Sequence, residues 1–387
     1  MPVGLLILVL FVGVLLILQL VPVPRSPVLK AVSFWSSMVP NEQPHWVALV
    51  LLASGGLALA QGEVGSFWGR AVLALAALEV VGCGVLYRRM FPSRAALRDA
   101  VGGLGEGTAA RLAGRGSRRL ATLALPLGLG RTKVERVADV SYGPAGKRNL
   151  LDLYLPRRGR PTGPTLIYLH GGGFTSGSKR REGQRALNRL AASGWVCIGA
   201  NYRMSPDVQY PEYVIDLKKV IAWARSEGGA YGADPSRIFI AGGSAGGHIA
   251  ACAALTANEP ALQPGFEEAD TSVSGAIGLY GYYGGLNYGN LRPRGPFPSA
   301  PIALIGPDSP PFLVIHGDRD TVVGVGNARK FASALRVAGN DVAFAELPGA
   351  QHTFDLWRSI RVENEIDAIE DFAAWATSRG GKAKTRG

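Results

Sequence analysis

Cysteine is scarce, with three residues at 83, 197 and 252 in a chain of 387, and no pair of them has a spacing that suggests a metal site or a disulfide framework. Small buried hydrophobes is the reading left for all three. Neither a Walker loop nor a dinucleotide fingerprint occurs, so no organic cofactor is implied. Acids are few where bases gather. Between residues 88 and 119 eight arginines face only Asp99 and Glu106, and a second cationic run closes the chain from 379 to 386. Together these runs carry ten of the twelve net positive charges, which leaves the rest of the chain close to neutral. They resemble no nucleic-acid-binding fold, and they adjoin apolar segments, which points to anionic lipid headgroups and away from nucleic acid.

What the sequence has in excess is apolar length at its front. Residues 3–21 are broken only by Gly4, Gly13 and Gln19, and about 20 such residues cross a bilayer. A secretory signal would carry Lys or Arg before the run and small residues after it; here Met1-Pro2 precedes and Val21-Pro22-Val23-Pro24 follows. Residues 46–60 form a second, shorter apolar stretch. Residues 71–87 form a third, with Glu79 near its middle and Tyr87-Arg88-Arg89 at its end. An acid in lipid is costly, so Glu79 is expected to face neighbouring helices.

The expected layout is a transmembrane region of about three helices over 1–90, then a basic juxtamembrane linker over 91–132. A globular domain over 133–378 and a basic tail over 379–387 complete it. Within the linker lies a further apolar stretch, 120–129, broken by Pro126, able to lie on the membrane or to cover a catalytic site. With three crossings, the loop between the first two segments shares a side with the globular domain. That side holds Arg25, Lys30, Arg88, Arg89, Arg94 and Arg98, and the positive-inside bias assigns it to the cytoplasm.

Past residue 133, short runs rich in branched residues recur at 134–140, 150–155, 165–169, 196–200, 238–241, 275–279, 312–315 and 342–347. Helical patterns fall at 180–192, 212–225, 245–257, 326–337 and 355–377. Strands alternating with helices imply a mostly parallel sheet of about eight strands covered on both faces.

Residues 237–254, RIFIAGGSAGGHIAACAA, are the stretch around which this domain is organised. A β-branched and aromatic run enters a glycine-rich turn and an alanine-rich helix leaves it, the context of a nucleophile elbow with Ser244 at its tip. In a chain with 52 glycines the motif alone is weak, and a serine hydroxyl needs a base and an orienting acid. After the third strand stands His170-Gly171-Gly172-Gly173-Phe174; three glycines there free backbone amides for an oxyanion, with Gly172 and Gly173 as donors and Ala245 as the third. An apolar strand ends in Asp318 and Asp320, both candidates for the acid. Of five histidines, only His352 follows an acid loop in the chain order Ser, Asp, His.

His170–Phe174, GGSAGG around Ser244, Asn201-Tyr202-Arg203-Met204-Ser205-Pro206, HGDRD and GAQHTF together resemble the α/β-hydrolase superfamily, and within it the carboxylesterases of the hormone-sensitive lipase type. The layout is similar to membrane-anchored actinobacterial esterases. The resemblance implies Ser244, Asp320 and His352 as catalytic triad and Gly172, Gly173 and Ala245 as oxyanion hole. It prefers Asp320 because the acid stands three residues after Gly317. Two departures stand out: Gly243 where the family often has an acid, and the arginine-rich and 120–129 segments in place of its cap. The expected activity is hydrolysis of small-molecule or lipid esters through an acyl-enzyme, without cofactor or metal. Acyl transfer by the same triad, or a non-catalytic binding protein on a hydrolase scaffold, are the alternatives. Residues 281–311, rich in Gly, Pro and Tyr, read equally as an acyl-pocket wall and as a solvated loop.

Overall fold

The computed structural model describes residues 2–21, 26–114 and 133–383, the last four by backbone alone. The apolar stretch 120–129 lies outside the described residues.

Among the described residues six helices precede the first strand: α1 (Val3–Leu20), α2 (Pro27–Ser37), α3 (Pro44–Ala60), α4 (Phe67–Arg88), α5 (Pro92–Gly102) and the single turn α6 (Ala110–Ala113). Helices α1, α3 and α4 pack through Val9, Leu16, Leu51, Ala58, Val72, Ala76 and Leu86, while Phe11, Val14, Leu52 and Val81 stay exposed around the outside. Glu79 faces inward, as expected for an acid in this setting: it is buried, and a Cβ added to Gly13 of α1 would come within 2.8 Å of its Oε1.

Two expectations differ from the structure here. The segment between the first two apolar runs contains a helix, α2, which Ser26 and Pro27 start in the usual way for an N-cap and a first-turn proline. The described part of the expected linker is helical as well. Leu97 and Val101 of α5 and Leu112 of α6 are buried in the same cluster as one face of the sheet, and the two Asp371 carboxylate oxygens accept from the Arg111 and Leu112 amides at 3.0–3.1 Å. Leucine and valine at helical spacing bury there, while Arg94 pairs with Asp367 and Arg111 with Glu370 and Asp371 of the domain.

The sheet has eight strands in the order β1-β2-β4-β3-β5-β6-β7-β8: β1 (Val134–Ser141), β2 (Leu150–Pro156), β3 (Thr165–Leu169), β4 (Val196–Ala200), β5 (Ile238–Gly243), β6 (Gly275–Leu279), β7 (Phe312–Gly317) and β8 (Val342–Leu347). Pairings from β4 through β8 are parallel, and β1 and β2 are antiparallel. Every residue of β3 to β7 is buried, the consequence of helices on both faces. On one face pack α8 (Glu212–Ser226), α9 (Ala245–Leu255) and α10 (Gly326–Val337); on the other, α7 (Gln184–Ala192) and α11 (Ile360–Ala383) with α5 and α6.

Two helices begin later than their patterns suggest. Gly183 takes a left-handed φ of 68°, so α7 starts at Gln184, and Arg180 before it pairs with Asp139 and Asp152. Asp355 is drawn inward onto the hydroxyls of Tyr280 and Tyr168, which delays α11 to Ile360.

Candidate active site

Ser244 joins β5 to α9 with its backbone at φ 53°, ψ −115°, a region that a residue with a Cβ occupies only at a cost of about 1–3 kcal/mol. The turn is tight: a Cβ on Gly246 would lie 2.2 Å from the Leu169 carbonyl oxygen, so only glycine lets α9 pack onto β3. The Ser244 amide donates to Leu279 O at 2.9 Å, which fixes the elbow to β6. Strain at one hydroxyl, held by neighbours on both sides, presents the Oγ at the carboxyl edge of the sheet.

The loop after β8 brings His352 to it. His352 Nε2 is 2.9 Å from Ser244 Oγ, and Nδ1 is 2.6 Å from Asp320 Oδ2. Asp320 is itself well held. Its Oδ1 accepts from the amides of Val322 and Val323 at 2.8 and 2.7 Å, and His316 Nε2 stands 3.1 Å from Oδ2. The same Nε2 is 2.7 Å from the Val323 carbonyl, which can only accept, so this nitrogen carries the ring proton. Burial pushes the Asp320 carboxyl up, but the His352 charge and the hydrogen bonds from His316 and His352 outweigh it and hold the group below the usual range. Asp318 does not join them: its Oδ1 accepts from the Gly349 amide at 2.7 Å, and burial raises its pKa.

Gly172, Gly173 and Ala245 border the same cavity as Ser244 and His352, a cleft of about 680 Å³. At Gly172 φ is 110° and a Cβ would lie 2.0 Å from Ser176 O, so the loop requires glycine there. The start of the loop is fixed from two sides. The Gly171 amide donates to Glu182 Oε2 at 2.7 Å, and Tyr202, whose ring stacks on His170, donates its hydroxyl to the His170 carbonyl at 3.0 Å. Such a cleft, with backbone donors beside a strained serine and a histidine in reach of its oxygen, can carry acyl transfer to Ser244.

Four groups at this site were not marked by sequence reasoning. His316 carried a signal, the histidine before Gly317 at the end of β7, but read only as a strand end. Glu182 had none. Phe34 and Trp35 line the cleft from α2, and the Phe34 ring meets His352 edge-on at 5.8 Å. Of the 281–311 segment, Tyr282 and Tyr288 border the cleft and Tyr283 stacks on Phe331 at 4.1 Å, so this stretch is packed against the site. Among the described residues no group of three or more His, Cys, Asp or Glu side chains is arranged to hold a metal ion.

The eight-stranded sheet with an elbow serine, an acid after β7 and a histidine after β8 defines an α/β-hydrolase. Comparison with known proteins agrees. A family model described as BD-FAE matches residues 151–284, and one described as the prolyl oligopeptidase family matches 290–382. Esterase LipQ of Mycobacterium tuberculosis is 40% identical, with 66% of this chain and 66% of that protein covered. A probable carboxylic ester hydrolase of the same organism, LipM, is 39% identical over 63% of this chain and 62% of its own length. The solved structure of Thermogutta terrifontis esterase 2 phosphoramylated by tabun is 27% identical with a TM-score of 0.53, covering 63% of this chain and 94% of that one. The chain has the α/β-hydrolase fold, and the relatives it matches bear the names of esterases. It spans just under two thirds of the length of the curated relatives it matches.

Proposed function

We propose that the chain is a serine carboxylesterase. The observation that carries this reading is the continuous line from Asp320 Oδ2 through His352 to Ser244 Oγ, at 2.6 and 2.9 Å, opening on a cleft lined by Gly172, Gly173 and Ala245. In the first half-reaction His352 Nε2 takes the Ser244 proton as Oγ attacks the ester carbonyl. Asp320 holds the imidazole by Nδ1 and stabilises its cation, and the amides of Gly172, Gly173 and Ala245 receive the oxyanion. The imidazolium then returns its proton to the departing alcohol. A water molecule, deprotonated by the same nitrogen, attacks the acyl-enzyme and releases the acid with Ser244 restored. The names of the relatives support ester over peptide chemistry. The prolyl oligopeptidase match begins after Ser244, so it includes the acid and base but not the nucleophile.

The expected outcome for Ser244→Ala is loss of at least a thousandfold in kcat on a short chromogenic ester with the fold intact by circular dichroism. Turnover near the parent rate would sink the triad assignment.

In this reading residues 1–90 anchor the enzyme in a bilayer and 91–132 connect to the catalytic unit at 133–378; the basic run that begins at Arg379 continues α11 as far as Ala383. Two described helical stretches, Val3–Leu20 and Phe67–Gly102, are long and apolar enough to cross a membrane, and Pro44–Ala60 is a shorter apolar helix. Their exposed leucines, valines and phenylalanines support lipid as the solvent. The substrate is accordingly an ester that partitions into the membrane, met by a catalytic domain on the cytoplasmic side.

A further inference from the structure

Helix α2 is turned inside out for a helix in water. Its serines are buried, Ser33 at 0% and Ser37 at 1% exposure, while Val28, Val32 and Trp35 stand 70%, 44% and 63% exposed. A helix at an aqueous surface does the reverse. The buried side is satisfied by the end of α1: Gln19 donates to Ser33 O and Ser36 Oγ at 3.4 Å, and Ser33 Oγ reaches Leu18 O at 3.5 Å. The apolar side therefore continues the exposed belt of Leu10, Val14, Ile17 and Val21 on and just past α1.

The same helix reaches the reaction centre. Phe34 and Trp35, in edge contact at 5.0 Å, form one wall of the cleft, with Tyr282, Tyr288, Val322 and Val323 completing an apolar lining. The lining leads to Ser244 and His352 on the inside. Thr321 of the acid loop donates to the Lys30 carbonyl of α2 at 3.1 Å, so helix and acid loop are joined directly.

We propose that α2 lies in the membrane interface and that Phe34 and Trp35 are specificity-determining residues, forming the slot through which the acyl chain of a bilayer-dissolved ester passes to Ser244. The inference rests on the esterase reading above. One side of Trp35 faces the lipid and the other the cleft, so a chain leaving the bilayer along it stays in apolar surroundings until its carbonyl meets the glycine loop. Chain length is thereby selected by a residue outside the hydrolase domain.

The experiment uses the full chain in phosphatidylcholine vesicles and p-nitrophenyl esters from acetyl to decanoyl. For Trp35→Ala the ratio of kcat/KM for decanoyl over acetyl should fall about tenfold, since loss of a large apolar contact discriminates by chain length. Trp35→Phe should restore most of it. An unchanged ratio, with Ser244→Ala inactive, overturns the slot while leaving the esterase reading in place; an active Ser244→Ala overturns the esterase reading itself. A second measurement does not depend on turnover. An environment-sensitive fluorophore on Val32→Cys should shift to the blue when the protein is moved from a short-chain detergent screened by lipid-free buffer into vesicles, and should be quenched by brominated lipid. Absence of quenching overturns the interfacial position of α2.

Discussion

Glu365 is wholly buried in α11, and among the described residues neither of its carboxylate oxygens has a hydrogen-bond partner. Burial, with the nearby Asp355 charge, raises its pKa well above the ordinary 4.5, so it is held as the neutral acid in the native chain. The direction of its effect on stability follows from proton uptake. Below pH 4.5 the native and unfolded chains both hold the proton; as the pH rises, the unfolded chain releases it first, so stability attributable to this group is lost until the native carboxyl ionises too. Glu365→Gln removes that loss. Its melting temperature relative to the parent should therefore climb as the pH rises above about 4.5, and a difference that stays constant there would contradict the raised carboxyl. Nothing in the sequence marks Glu365, which stands among the equally acidic Glu363, Asp367 and Glu370 of one helical pattern. The arrangement of Ser244, His352 and Asp320 was legible because the chemistry proposed for it imposes chain order and glycine spacing. The acid remained open between Asp318 and Asp320 on the residues alone, since two positions in one loop differ only in the direction the backbone turns them. Burial of a polar group is decided by what arrives from elsewhere in the chain, and local pattern does not carry it.

At the scale of elements, the strands were legible nearly to their ends because full burial on both faces demands runs of branched residues. The short helices α2, α5 and α6 were not, because the buried serines of α2 face the end of α1 and the buried residues of α5 and α6 face partners hundreds of positions away. The turn after α2 shows how firm that distant contact is. Arg361, at the start of α11 and fully buried, donates to Glu42 Oε1 at 2.6 Å, to Asn41 O at 3.2 Å and to Pro348 O at 3.0 Å. Pro348 opens the loop that ends in His352, so one guanidinium joins the segment before α3 to the loop that carries the base. Arg361→Met would leave Glu42 buried without its partner, a change worth about 3–5 kcal/mol for an ion pair so enclosed. Chemical denaturation of the detergent-solubilised chain should register that loss, and Arg361→Met with Glu42→Gln should recover more than half of it. No change in the single variant would mean that the apolar region and the hydrolase are coupled by something else.

For the molecule as a whole, the ends of the apolar helices matter more than their lengths. Arg319, between the two aspartates of the acid loop, donates to the Gln19, Leu20 and Val21 carbonyls at 3.0–3.4 Å, so the carboxyl end of α1 sits on the hydrolase. The amino end of α3 does too, since Gln43 donates to the Arg358 carbonyl. The carboxyl end of α4 joins them: Arg89 donates to the Gln19 carbonyl at 3.2 Å, and Arg94 of the α5 that follows donates to Asn364 and Asp367 of α11 at 3.1 and 3.3 Å. Three junctions on one side leave the start of α1 and the turn at 61–66 for the other, the arrangement that the proposed three crossings require. Helix α3, 17 residues and about 26 Å at 1.5 Å per residue, then approaches the ~30 Å of a hydrocarbon core. Cations concentrate on the hydrolase side: Lys30, Arg88, Arg89, Arg94 and Arg98 lie there, while Glu63 and Arg70 flank the far turn. Under the proposed membrane reading, the positive-inside bias would put the hydrolase in the cytoplasm and the amino terminus outside. A reporter active only in the cytoplasm, fused after Gly387, should be active. A reporter that works only outside should be silent at that position and active when inserted after Gly62, and the opposite pattern would reverse the orientation of the whole chain.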